Sequence, residues 1–430
     1  MLAGIVQRRL AARGIHYGWV VVAAAFVVSV STAGVMGLPG ALMLPLEREF
    51  GWSATDVSNA LAIRILLYGL MAPFSAALME RFGVKRVVVA AVITIGAMLL
   101  LSMGISTLWQ LTALFGVGLG IGTGLTAVVF SAIISTRWFT ARRGLVIGLL
   151  TASNATGQLA FLPLAAWLES RYGWRVALLP SLIGLALAAA MAILFLVDRP
   201  YDLGLVPYGE TGRPVPPSNV KPALSSSLRV LGQVAPMPAF WVLAGTFFVC
   251  GLSTNGLVQT HFISLCADNG VTSITAASML ALIGFCDFFG TIGSGWLSDR
   301  YDNRALLFVY YGLRGLSLLY LPSSGYTIVA LSAFSVFYGL DWVATVPPTA
   351  RLSAEIFGRE RTGVVFGWIF ASHMVGAAFA AFLGGFARTV WHTYLPAFYL
   401  GGIACLVAAL AIWLIERRPV AQRTLATAKA

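Results

Sequence analysis

Six ionisable side chains stand in stretches otherwise too apolar to hold them: Arg64, His261, Asp287, Arg314, Asp341 and His373. A charge near the centre of a bilayer costs about 2.5–3.5 kcal/mol on insertion scales, so such groups are rarely idle. Asp287 and His261 are the candidates for proton coupling. A carboxylate that alternately faces an apolar wall and a cation can load and release a proton, and histidine titrates near neutrality. The plainer alternative for Asp287 is an acid permanently neutralised by a partner. Arg64 is a candidate anion receptor, because a guanidinium fork fits a carboxylate. Its alternative is an arginine that snorkels toward the outer surface. Arg314 and Asp341 lie at matching depth on consecutive helices. They are expected to form a structural ion pair that positions the tenth span, the alternative being direct contact of Asp341 and Trp342 with substrate.

Neutral polar groups add to this set. Asn154 and Gln158 share one helix face, as do Asn255 and Gln259, each pair at i, i+4. Tyr68 follows Arg64 by one turn, and His373 lies in the middle of another apolar stretch. Taken singly, each is explained by a hydrogen bond between helices. Taken together with Arg64, they are the candidate substrate-binding residues of a central cavity.

The elements that must position these residues are membrane spans. The chain has 430 residues, 59% hydrophobic and 10% charged. Apolar runs of about 20 residues, the length of a transmembrane helix, recur throughout. Spans are expected near 18–45, 57–79, 87–105, 109–136, 143–168, 176–197, 238–264, 273–297, 304–322, 327–350, 362–388 and 394–415. The first run leads straight into the next, as a span does and a cleaved signal does not. The formal net charge is +12, but nucleic acid is not the implied partner. With the N-terminus inside, Arg48, Arg171, Arg175 and Arg388 fall outside, Arg64 and Arg314 fall within spans, and every other Lys and Arg is cytoplasmic. That is the positive-inside pattern, with both termini cytoplasmic in a bacterial-type inner membrane. Cys250, Cys266, Cys286 and Cys405 read as apolar filler. No Walker sequence, metal-ligand spacing or catalytic triad is present, so neither ATP hydrolysis, a cofactor nor enzyme chemistry is expected.

The chain divides into residues 1–197, a polar, proline-rich cytoplasmic linker at 198–237, and residues 238–430. The halves repeat at an offset of 219 residues. Glu80-Arg81 aligns with Asp299-Arg300, each in the loop after the second span of its half. Gly148, Ala152, Ser153 and Gly157 align with Gly367, Ala371, Ser372 and Gly376. Two parallel six-helix halves are a transporter architecture, with substrate held near the midplane between them.

These loop motifs resemble those of the major facilitator superfamily, with Glu80 in place of the usual Asp. The resemblance implies an all-α membrane fold of 12 transmembrane helices in two pseudo-twofold bundles. It also implies that Glu80, Arg81, Asp299 and Arg300 form gating loops that hold neighbouring helix ends. Within that superfamily the chain is similar to the monocarboxylate transporter group and its oxalate–formate antiporter branch. The carriers are His16 to Val20, Tyr68-Gly69 with Pro73 and Ser75, Trp138 to Gly144, and Ile283 to Asp287. Two positions differ from that group. The arginine it places four residues after the eighth-helix acid is Thr291 here. The lysine many members carry after the first-helix proline is Gly40, after Pro39.

The expected function is secondary transport of a small organic anion or carboxylic acid by alternating access, with a proton as the coupling ion and lipid as the surrounding solvent. A proton-coupled exporter of amphipathic compounds is the alternative within the same fold. A non-transporting sensor is the alternative outside it.

Overall fold

A computed structural model describes residues 2–126, 128–214, 225–358 and 362–416. Six long helical segments form the first half: α1 Gly18–Phe50, α2 Ala54–Phe82, α3 Val84–Ser102, α4 Leu108–Trp138, α5 Arg143–Tyr172 and α6 Trp174–Phe195. Six form the second: α7 Pro238–Asp268, α8 Ser273–Ser298, α9 Asn303–Ser323, α10 Ile328–Phe357, α11 Thr362–Trp391 and α12 Leu395–Leu414. Ten are long and apolar enough to cross a membrane. The other two, α2 and α5, have 29 and 30 residues.

Local sequence explains where the helices begin and end. Gly51 ends α1 in the left-handed region, and Ser53 with Asp56 forms a capping box that opens α2. Thr272, Asp302 and Thr327 accept backbone N–H bonds at the starts of α8, α9 and α10. Each such cap contributes about 1 kcal/mol by satisfying a donor the helix itself cannot.

The halves are built alike. In the first, α1 packs on α5, α2 on α4 and α3 on α6. In the second, α7 packs on α11, α8 on α10 and α9 on α12. The charged loops obey the same rule. Glu80 on α2 pairs with Arg137 of α4 and, at 3.3 Å, with Arg199. Asp299, after α8, pairs with Arg351 of α10. Arg81 lies over the ring of its neighbour Phe82, and Arg300 over Trp296.

The halves meet along α2–α11 and α5–α8. Named cross-half contacts gather toward the end where α2 starts. Thr55 Oγ1 donates to Thr389 Oγ1 at 2.7 Å, and Ser58 abuts Gly385. Gly40 marks the tightest approach of α1 to α7, where a Cβ would stand 2.8 Å from the Gln259 carbonyl oxygen. A lysine at that place would not fit this arrangement.

The interdomain segment is anchored at both ends. Tyr208 N donates to Trp138 O at 2.8 Å, Thr140 N donates back to Tyr208 O at 2.9 Å, and His16 Nε2 lies 2.9 Å from Val206 O. Beyond residues 215–224, the amphipathic helix Ser225–Val234 receives the Trp368 indole N–H at the Ser227 carbonyl, 3.1 Å away.

Several spans lose regular α geometry at depth, α4 among them with a π turn over Thr112–Gly118. α1 contains Pro39 and Pro45. α7 makes a π turn over Leu252–Val258. α10 is unwound between Asp341 and Val346.

Candidate functional site

Pro39 has no N–H, so the Val35 carbonyl four residues back has no helical donor. Arg64, on α2, supplies one. Its Nη1 donates to Val35 O and its Nη2 to Met36 O, both at 3.1 Å. The side chain is only 2% exposed, so it does not snorkel. Among the described residues it has no acidic partner, and its buried Nε has no hydrogen-bond partner at all.

Four of the expected substrate-binding residues converge here. Gln259 Nε2, across the half boundary, donates to the same Met36 carbonyl at 3.3 Å. Its Oε1 accepts from Asn255 Nδ2, and Asn255 Oδ1 lies 3.1 Å from His373 Nε2. Asn255 sits on the π turn, a local irregularity often found at functional sites. The Thr260 hydroxyl bonds the Asn255 carbonyl at 2.8 Å, five residues back. A small cavity of about 10 Å³, room for roughly one water, lies among these groups, lined by Met36, Pro39, Arg64, Ile65, Asn255, Gln259, Thr260 and Met374. Tyr68 is beside it, edge-on to Phe370, whose ring stacks on His373 with an interplanar angle of 7°. The side chains of Asn154 and Gln158 lie outside the described residues.

The other candidates lie elsewhere. His261 is fully buried on α7, with Nε2 2.8 Å from the Ala381 carbonyl of α11 and its ring against Tyr394. Asp287 does not face Arg64. Its Oδ1 accepts from Thr291 Oγ1 and from Val343 N, both at 2.9 Å, and the second bond reaches the unwound part of α10. Arg314 and Asp341 are in contact, Nε to Oδ2 at 2.7 Å, with side-chain exposures of 0% and 7%. Arg314 also donates to the carbonyls of Asp341 and Trp342. A second polar centre therefore surrounds the α10 break, apart from the cavity.

Sequence reasoning did not find the backbone acceptors. Val35 and Met36 offer carbonyls rather than side chains, although Pro39 is the signal that one of them is free. Ser294 was also missed. Pro348 removes the helical donor of Ala344 O, and Ser294 Oγ supplies one at 2.5 Å.

Two repeated six-helix bundles with a cluster of buried polar side chains between them define a membrane transporter. The chain belongs to the Major Facilitator Superfamily, whose family model matches residues 24–344 and 263–430. It is 29% identical to monocarboxylate transporter 13 of Rattus norvegicus over 91% of this chain and 87% of that one. It is 25% identical to the 4-hydroxybenzoate transporter of Pseudomonas putida over 86% of each. A solved bacterial homologue of the human lysosomal transporter Spinster, in an inward-facing and unoccupied conformation, has the same fold. Its TM-score is 0.66 at 16% identity, covering 93% of this chain and 95% of that one.

Proposed function

We propose that this transporter carries a small monoanionic organic acid across a cytoplasmic membrane, with the substrate carboxylate received by Arg64. The observation that supports this most is a buried guanidinium held only by backbone carbonyls. Carbonyl dipoles satisfy its two Nη groups but neither its Nε nor its charge. A carboxylate in the cavity would satisfy both. The cluster contains one cation, which favours a single carboxylate over two. Met36, Ile65 and Met374 suit an apolar body, while Asn255, Gln259 and His373 can hydrogen-bond a hydroxyl at its far end. The relatives named for monocarboxylates and 4-hydroxybenzoate agree with such a ligand.

In this reading the termini are cytoplasmic and transport proceeds by alternating access. The contacts near Thr55 and Gly40 close the outer side, and the loop ion pairs at the inner end stay within their own halves. The test is counterflow of 4-hydroxybenzoate in proteoliposomes. Arg64→Ala should weaken apparent affinity at least about tenfold, because hydrogen bonds to charged groups contribute about 1.5–3 kcal/mol. Arg64→Lys should recover part of that loss. Unchanged affinity in both variants removes Arg64 from the site. Thermal stabilisation by cationic drugs but by no carboxylate would overturn the anion reading.

A further inference from the structure

The α10 break is held open by side chains from its neighbours. Arg314 fills the carbonyls of Asp341 and Trp342, Asp287 accepts the Val343 N–H, and Ser294 donates to the Ala344 carbonyl. Two carboxylates thus converge on one guanidinium. Facing Asp341 are Cys250 of α7, Asp287 of α8, Tyr310 and Arg314 of α9, Tyr338 of α10 and Cys405 of α12. Arg314 is the one cation among them. With both acids ionised the centre carries one uncompensated negative charge, which is costly at membrane depth. One proton removes it.

The hydrogen bonds indicate where that proton sits. Asp287 Oδ1 accepts two bonds and is well satisfied as a carboxylate. Asp341 Oδ2 accepts from Arg314, but its Oδ1 is buried with no partner. We propose that Asp341 Oδ1 is the seat of the coupling proton, and that Asp287 and Arg314 transmit its state to the α10 backbone. On uptake a solvent proton bonds to Oδ1, and the carboxylate becomes a neutral acid. Arg314 then loses its ionic partner, and its grip on the Asp341 and Trp342 carbonyls changes with it. The site is separate from the cavity, so proton and substrate can occupy the protein together. With a monoanion this makes a neutral load.

The proposal rests on the transport reading, and the experiment separates the two. Infrared difference spectroscopy of the full-length protein in liposomes, titrated without substrate, should show one buried protonated carboxyl band. Asp341→Asn should abolish it at every pH, whereas Asp287→Asn, which leaves Asp341 and Arg314 as a balanced pair, should keep it but move its titration to lower pH. In the same vesicles, 4-hydroxybenzoate counterflow at equal pH should survive Asp341→Asn. Gradient-driven accumulation, about tenfold per pH unit for one proton per monoanion, should fall to none. Should Asp341→Asn fail to fold, Asp341→Glu takes its place and should move the band to a different frequency, an unmoved band overturning the proposal. A band that persists without Asp341, or that Asp287→Asn abolishes at every pH, overturns the proposal. A wild-type protein that shows the band but no counterflow retires the transport reading and leaves the proton site standing.

Discussion

Arg64 and Arg314 do the same local work in opposite halves. Each reaches from one helix to carbonyls that the adjacent helix cannot satisfy for itself. They differ in charge balance, since Arg314 has Asp341 at 2.7 Å and Arg64 has no acidic partner among the described residues. That difference separates a joint from a receptor. Ser294 belongs with the joints. Ser294→Ala would leave the Ala344 carbonyl buried without a donor, at a cost of about 1–3 kcal/mol. The melting temperature should fall while the apparent affinity for substrate stays the same. An unshifted melting temperature would mean that Ala344 finds another donor. At this scale the sequence was informative about side chains and silent about backbone. Arg64, Asn255, Gln259 and His373 were recognisable as polar groups in apolar surroundings, and they do come together. Asp287 was equally recognisable, but its acceptor role toward Val343 N depends on how α10 unwinds against α8, which no residue type announces.

Among the elements, α1 illustrates how one residue sets up a site. Pro39 costs a helix interior about 3 kcal/mol, and the carbonyl it frees is what holds Arg64 in the cavity wall. Pro39→Ala would return a helical N–H to Val35 O. Arg64 would then lose one of its two acceptors, and a competing ligand carboxylate would have less to displace. The apparent dissociation constant for a bound carboxylate should fall by up to about tenfold, the worth of roughly one net hydrogen bond. Calorimetric titration would show this, and weaker binding would mean that the proline bend itself shapes the cavity. The spans and their order were legible because length and hydropathy are direct consequences of the bilayer. The π turn of α7 was not, since an extra residue in a helical ladder leaves no mark on the apolar pattern. The linker read only as a polar spacer, and the anchoring of Tyr208 and Ser227 depends on surfaces formed by distant parts of the chain.

At the end where α2 starts the halves meet mainly through small and neutral groups. Thr55 meets Thr389, Ser58 abuts Gly385 and Gly40 lies on the Gln259 backbone, with Arg388 also within electrostatic range of Glu47. Charges at the opposite end are confined within each half, Glu80 with Arg137 and Asp299 with Arg351. Separation at that opposite end therefore breaks none of those ion pairs, and separation at the Thr55 end breaks hydroxyl and van der Waals contacts and the attraction between Arg388 and Glu47. A Thr55→Cys/Thr389→Cys pair should cross-link under oxidation and stop transport, with full recovery on reduction. Transport that continues through the cross-linked protein would exclude opening at this end. The superfamily fold was legible from the twelve apolar spans, from the 219-residue repeat that matches Glu80 with Asp299, and from the resemblance of those two loop motifs.

The same repeat aligns Pro39 with Val258, the last residue of the α7 π turn. One half has a missing donor at that depth, and the other has an extra residue. The missing donor draws in a cation, whereas the extra residue thrusts out an amide. Two walls descended from one pattern have thus become chemically unlike, positive on the first half and neutral on the second. For the proposed monoanion this gives the cavity a handedness: the charged head turns to the first half and the uncharged end to the second, so the cargo lies crosswise between the halves in one orientation and not its reverse.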